Sequence, residues 1–93
     1  GDIACCERYN KKTNLYTRHP GENFVSAETV SEIYRKLDSD VFVYVNPQCF
    51  INADAIYRMN YPNVYLKGIQ HPLTIERNCR KEVEKAYLEV IRV

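Results

Sequence analysis

Val41-Phe42-Val43-Tyr44-Val45-Asn46-Pro47-Gln48-Cys49 is the most strand-like stretch of the chain. Its first five residues are β-branched or aromatic and apolar at every position. That pattern predicts an interior strand covered on both faces. Asn46-Pro47 stops it, and a cysteine follows directly. Upstream, Val30, Ile33, Tyr34 and Leu37 recur at i, i+3, i+4 and i+7 and form one apolar stripe. With Ser26 as N-cap and Glu28 in the first turn, the spacing predicts a helix over residues 27–38, ended by Asp38-Ser39-Asp40. Downstream, Asn60-Tyr61-Pro62-Asn63 is turn chemistry between two short apolar runs, 55–59 and 64–69. These read as a hairpin, with Tyr61-Pro62 a candidate cis bond. Cys79, Val83, Ala86, Tyr87 and Val90 then mark a second amphipathic helix, with Asn78 or Thr74 available to cap it. The polar residues 1–23 read as an extended arm, with a short edge strand at most.

The chain has 93 residues, a size that predicts one domain spanning 1–93 with a modest core. It is 45% hydrophobic and 27% charged, which fits a globular protein and neither a disordered nor a membrane-spanning one. The formal charge of +1 offers no net field for nucleic acid or a lipid surface, so neither partner is expected, nor is direct membrane insertion. Cys5, Cys6, Cys49 and Cys79 make an even count in a short chain, which suggests a disulfide framework and a secreted or extracellular location. Adjacent cysteines bridge only with distorted backbone, so Cys5 would not pair with Cys6, and two pairings stay open. Each bridge would contribute on the order of 4 kcal/mol in the chain-entropy model. Four reduced thiols are the alternative. Zinc fits poorly, because structural sites space their cysteine pairs by two to four residues.

No catalytic motif is present, and no enzyme activity, cofactor or metal is expected. Both histidines precede prolines, in His19-Pro20 and His71-Pro72, and a Cys49/His71 nucleophile pair would need Cys49 as a free thiolate. Eight tyrosines against no tryptophan is a heavy tyrosine load. Tyr34, Tyr44 and Tyr87 fall at core spacing. Tyr9, Tyr16, Tyr57, Tyr61 and Tyr65 are less constrained and are the candidate partner-binding residues.

Adjacent cysteines, a strand, a third cysteine, more sheet, a fourth cysteine and a C-terminal helix together resemble the CC-chemokine plan. The Cys6-to-Cys49 interval is longer than in ordinary chemokines and holds the helix at 27–38. Herpesvirus envelope glycoprotein L is similar, with a chemokine-like core. Cys5-Cys6 looks like the Cys-Cys pair that opens the gammaherpesvirus members. Val43-Tyr44-Val45-Asn46-Pro47-Gln48-Cys49 looks like the strand that ends in Asn-x-x-Cys. Cys79 with Val83, Tyr87 and Val90 looks like the last cysteine and helix, and residues 61–69 resemble a segment of the alphaherpesvirus members. The resemblance implies an α+β, chemokine-like domain. It would have an antiparallel three-stranded sheet, a C-terminal helix, an additional helix before the sheet, and two disulfides, Cys5–Cys49 and Cys6–Cys79. It also implies a non-catalytic viral envelope subunit that complexes a glycoprotein H-like partner in membrane fusion at the virion surface. A secreted chemokine-like ligand or decoy for a cell-surface receptor is the alternative.

Overall fold

The computed structural model describes residues 3–37 and 40–92. Eight strands form two antiparallel sheets. β1 (Ile3–Tyr9), β2 (Lys12–Thr17), β3 (Asn23–Ser26), β4 (Phe42–Asn46) and β5 (Cys49–Asn52) make a five-stranded sheet in the order β3-β2-β1-β5-β4. β6 (Ile56–Asn60), β7 (Asn63–Leu66) and β8 (Leu73–Thr74) make a three-stranded sheet in sequence order. Helix α1 (Val30–Lys36) joins β3 to β4, and α2 (Arg80–Ile91) follows a 3-10 turn at Arg77–Cys79.

Alternation along the strands creates two cores, one on each face of the larger sheet. Cys6, Phe42 and Phe50 face α1, where Val30 and Ile33 complete one cluster. Cys5, Val43, Val45, Cys49 and Ile51 face the other way, where Val64, Leu66 and Leu73 of the small sheet, Ile75 just beyond it and Val83 of α2 cover them. The architecture is therefore α1, a five-stranded sheet, and a third layer that combines the small sheet with α2.

The chemokine-like plan of one three-stranded sheet is thus wrong. Residues 1–23 are no loose arm: β1 lies in the middle of the larger sheet, paired with β2 through Cys6↔Leu15 and with β5 through Cys6↔Phe50. β4 is covered on both faces as expected, but in pairing order it is an edge strand. All four cysteines are free thiols. The expected Cys6–Cys79 bridge fails for a geometric reason. Cys6 points to the α1 side, whereas Cys79 packs on the opposite face, and a sheet layer stands between them. The expected Cys5–Cys49 bridge is also absent, although both residues face the same core.

The first helix is shorter than its stripe suggested. Thr29 is its N-cap and not Ser26, because Thr29 and Glu32 close a capping box: the Glu32 N–H donates to Thr29 Oγ1 at 3.1 Å and the Thr29 N–H donates to Glu32 Oε1 at 3.0 Å. These bonds hold the Glu32 carboxyl below its ordinary pKa. Ser26 instead closes a local turn, accepting from the Glu28 N–H at 3.1 Å. The helix ends at a Leu37 C-cap, and Asp38 and Ser39 of the expected stop lie outside the described residues. The β6–β7 hairpin forms around the expected turn, with strands at 56–60 and 63–66 in place of 55–59 and 64–69, and its Tyr61–Pro62 bond is cis. α2 is capped by neither Asn78 nor Thr74; its N-cap is Cys79, without a side-chain bond.

Gly68 is fixed by sterics. Its φ is +86°, and an added Cβ would lie 2.5 Å from the Arg18 carbonyl oxygen. Gly21 shares the positive φ, +81°, but a Cβ there meets nothing within 4 Å. We expect Gly68→Ala to cost roughly 2–3 kcal/mol and Gly21→Ala only about 1 kcal/mol in urea unfolding. Equal losses would show that the approach to Arg18 is not close.

Candidate functional site

Four chain reversals meet at one end of the five-stranded sheet, and backbone hydrogen bonds lock them together. The first is the β1–β2 turn. Tyr9 pairs with Lys12, and Asn10 and Lys11 between them have φ of 56° and 63°. Two consecutive positive φ values identify a two-residue hairpin turn whose twist matches its strands. Asn14 braces it, with Nδ2 donating to the Tyr9 carbonyl at 3.3 Å and to the Lys12 carbonyl at 3.2 Å.

The second is the β4–β5 turn, closed by Asn46 opposite Cys49. Asn46 Oδ1 accepts the Gln48 N–H at 2.8 Å, which holds Pro47 and Gln48 outward. The Arg8 N–H donates to the Gln48 carbonyl at 2.8 Å and so ties this turn to β1. The third reversal leads from β8 toward α2. The Glu76 N–H donates to the Val45 carbonyl at 2.7 Å, which sets Arg77 beside Asn46. The fourth is the β6–β7 turn, joined to the rest by the Ile75 N–H donating to the Pro62 carbonyl at 2.7 Å.

The side chains at this end are mostly cations and amides. Arg8, Asn10, Lys11, Lys12, Gln48, Arg77 and Asn78 are all exposed. The ion pairs among the described residues are Arg18–Asp54, Lys36–Glu28 and Arg80–Glu84, so Arg8, Lys11, Lys12 and Arg77 carry unpaired charge. Only Glu7, half-buried, and Glu76 oppose them locally. A chain of net charge +1 therefore has a positive end, which a whole-chain sum conceals.

The five candidate tyrosines do not form one surface. Tyr9 is exposed beside the β1–β2 turn. Tyr16 is half-buried against the core, and its hydroxyl pKa is raised by burial and then by the Glu7 carboxylate. Tyr61 lies beneath Arg80, whose guanidinium is 4.0 Å from the ring centre. Tyr57 and Tyr65 share the outer face of the small sheet, with ring centres 6.2 Å apart. The cysteines are poor nucleophiles: burial pushes the Cys5 thiol up to about 12 and the Cys6 thiol up to about 11, and raises Cys49 further. Among the described residues no group of three or more His, Cys, Asp or Glu side chains is placed to hold a metal ion.

The family model for the LytTr DNA-binding domain matches residues 1–88. No curated protein matches the sequence. The fold is similar to that of a solved LytTr DNA-binding domain from Bacillus cereus, with a TM-score of 0.74 and 12% identity over 91% of this chain and 80% of that one. The family match overturns the glycoprotein L-like and chemokine-like readings. With them go the glycoprotein H-like or receptor partner, the secreted or virion-surface location, and the exclusion of nucleic acid. The free thiols remove the disulfide framework that the resemblance implies.

Proposed function

The chain belongs to the LytTr DNA-binding domain family, and from that membership we propose that it binds duplex DNA through the four joined turns at the positive end of its larger sheet. The single observation that carries this reading is the convergence there of four unpaired cations with exposed amide side chains on a hydrogen-bonded frame. Cations secure the phosphates and release counterions, which supplies affinity. Asn and Gln, with Arg, have the donors and acceptors to read base edges. A major groove about 12 Å wide admits a two-stranded hairpin, so the tips of β1–β2 and β4–β5 can enter it where no helix is presented. In this reading Arg8, Lys11 and Lys12 hold the backbone, while Gln48, Asn46 and Arg77 lie closest to the bases. The chain works by binding, without turnover.

The test is fluorescence anisotropy on a duplex selected from a random pool with the wild-type chain. Arg77→Ala should weaken binding by about 1–3 kcal/mol and relax sequence preference, while Lys11→Ala should weaken all sequences alike and lower the salt slope by about 1. Failure of the wild type to bind any duplex at low salt would refute the proposal.

A further inference from the structure

From Ala55 to Ile75 the chain carries no carboxylate, although it has 12 Asp and Glu in all. This acid-free stretch contains the whole of the three-stranded sheet. Its inner face is apolar and closed, with Ile56, Val64, Leu66 and Leu73 buried against the main core. Its outer face carries Tyr57, Arg58, Tyr65, Lys67 and Thr74. A register irregularity between Ile56 and Arg58 sets two residues of β6 against one of β7. Both Tyr57 and Arg58 consequently approach Tyr65, and the Arg58 guanidinium lies 5.1 Å from its ring centre. Arg58 is thus held by an aromatic ring and, among the described residues, pairs with no acid, which fixes its position and leaves its charge uncompensated.

We infer that this outer face is a second contact with the same duplex, taking the phosphate backbone that flanks the segment held by the turns; the inference rests on the DNA-binding reading above. Two features favour a polyanion over a protein. The face has two cations, tyrosine hydroxyls as donors and no acid. It also lacks an apolar centre, since Tyr57 is its one large exposed apolar side chain among the described residues. The face is continuous with the positive end, because the β6–β7 turn is bonded to Ile75 through Pro62. Arg58 stands two residues back from that turn, about 7 Å along the strand.

The experiment compares the selected duplex trimmed to its core with the same core extended by about one helical turn on each side. The wild-type chain should bind the extended duplex more tightly. Arg58→Gln/Lys67→Gln should remove that gain, about 3- to 10-fold, and lower the salt slope by up to about 2 on the extended duplex alone. Affinity for the trimmed duplex, sequence preference and melting temperature should stay at wild-type values. An unchanged affinity and salt slope on the extended duplex would overturn the inference and leave this face to a protein partner. Equal weakening on both duplexes would also overturn it, since the two residues would then act through the turns or the fold. Loss of the whole DNA-binding reading would look different: the wild type itself would bind neither duplex.

Discussion

Phe50→Ala should unfold this protein more readily than any other single truncation in the α1 layer, with an expected loss of about 3–5 kcal/mol. Phe50 is completely buried. Three aromatic rings surround it: Tyr34 at 5.2 Å, Phe42 at 5.7 Å and Tyr44 at 5.8 Å between centres, each in an edge-on arrangement. Tyr34 comes from α1, and its hydroxyl donates to the Phe42 carbonyl at 3.1 Å. Phe50 is therefore the common contact through which β5 holds the helix and β4 together. Truncation leaves a cavity among rings that the sheet holds in place, so the site cannot collapse to fill it. Domains of this size have about 5–15 kcal/mol in hand, so the variant should be partly unfolded near physiological temperature. Urea unfolding measures the loss. A change below about 1.5 kcal/mol would mean that α1 does not pack on this ring as described.

The elements with a strong period were legible in the sequence, and those held by partners were not. α2, the β6–β7 hairpin and β4 each announce themselves through spacing or turn chemistry that belongs to the segment alone. β1 does not. Ala4-Cys5-Cys6 is buried on both faces because two strands flank it and a layer lies on each side, a condition that exists only after folding. β3 is exposed along its length and is a strand through its pairing with β2. The capping box was readable as Thr29-x-x-Glu32, yet Ser26 also fits a cap, and composition alone does not rank them.

The cysteines show how a sound rule can mislead. An even count in a short chain favours bridges, but adjacent residues on a strand face opposite sides, which places Cys5 and Cys6 in different cores. The positive end was hidden by a different averaging. Its turns were visible as Asn10-Lys11-Lys12 and Asn46-Pro47, but their proximity depends on strand pairings among β1, β2, β4 and β5. A net charge of +1 is the sum over that end and the acidic residues elsewhere.

Raising the pH above 9 should unfold the protein over a narrow range, and the buried thiols set that range. The ordinary thiol value is 9.0; burial, with Glu7 nearby, pushes Cys5 up to about 12, and burial with Cys5 as a neighbour raises Cys49 further. Cys6 moves the same way, to about 11. Folding thus favours the protonated thiol. Below pH 9 both folded and unfolded chains keep the protons, and this contribution to stability is complete. Above it the unfolded chain loses protons first, so stability falls until the folded thiols ionise as well, in Cys5 near pH 12. Each such thiol costs about 1.4 kcal/mol per pH unit within that window, so Cys5 and Cys49 together cost about 3 kcal/mol per unit. Cys6 adds in the same direction. Urea midpoints should stay level up to pH 9 and fall steeply from there to pH 11, and Cys49→Ala should flatten that slope by about 1.4 kcal/mol per unit whatever it does to the starting stability. Cys49 sits where β5 leaves the β4–β5 turn, opposite Glu7 of β1. Its ionisation would therefore open the frame that holds Arg8 to Gln48, and DNA affinity should disappear in the same pH window. A stability that stays level from pH 9 to 11 would show that these thiols reach water in the folded state.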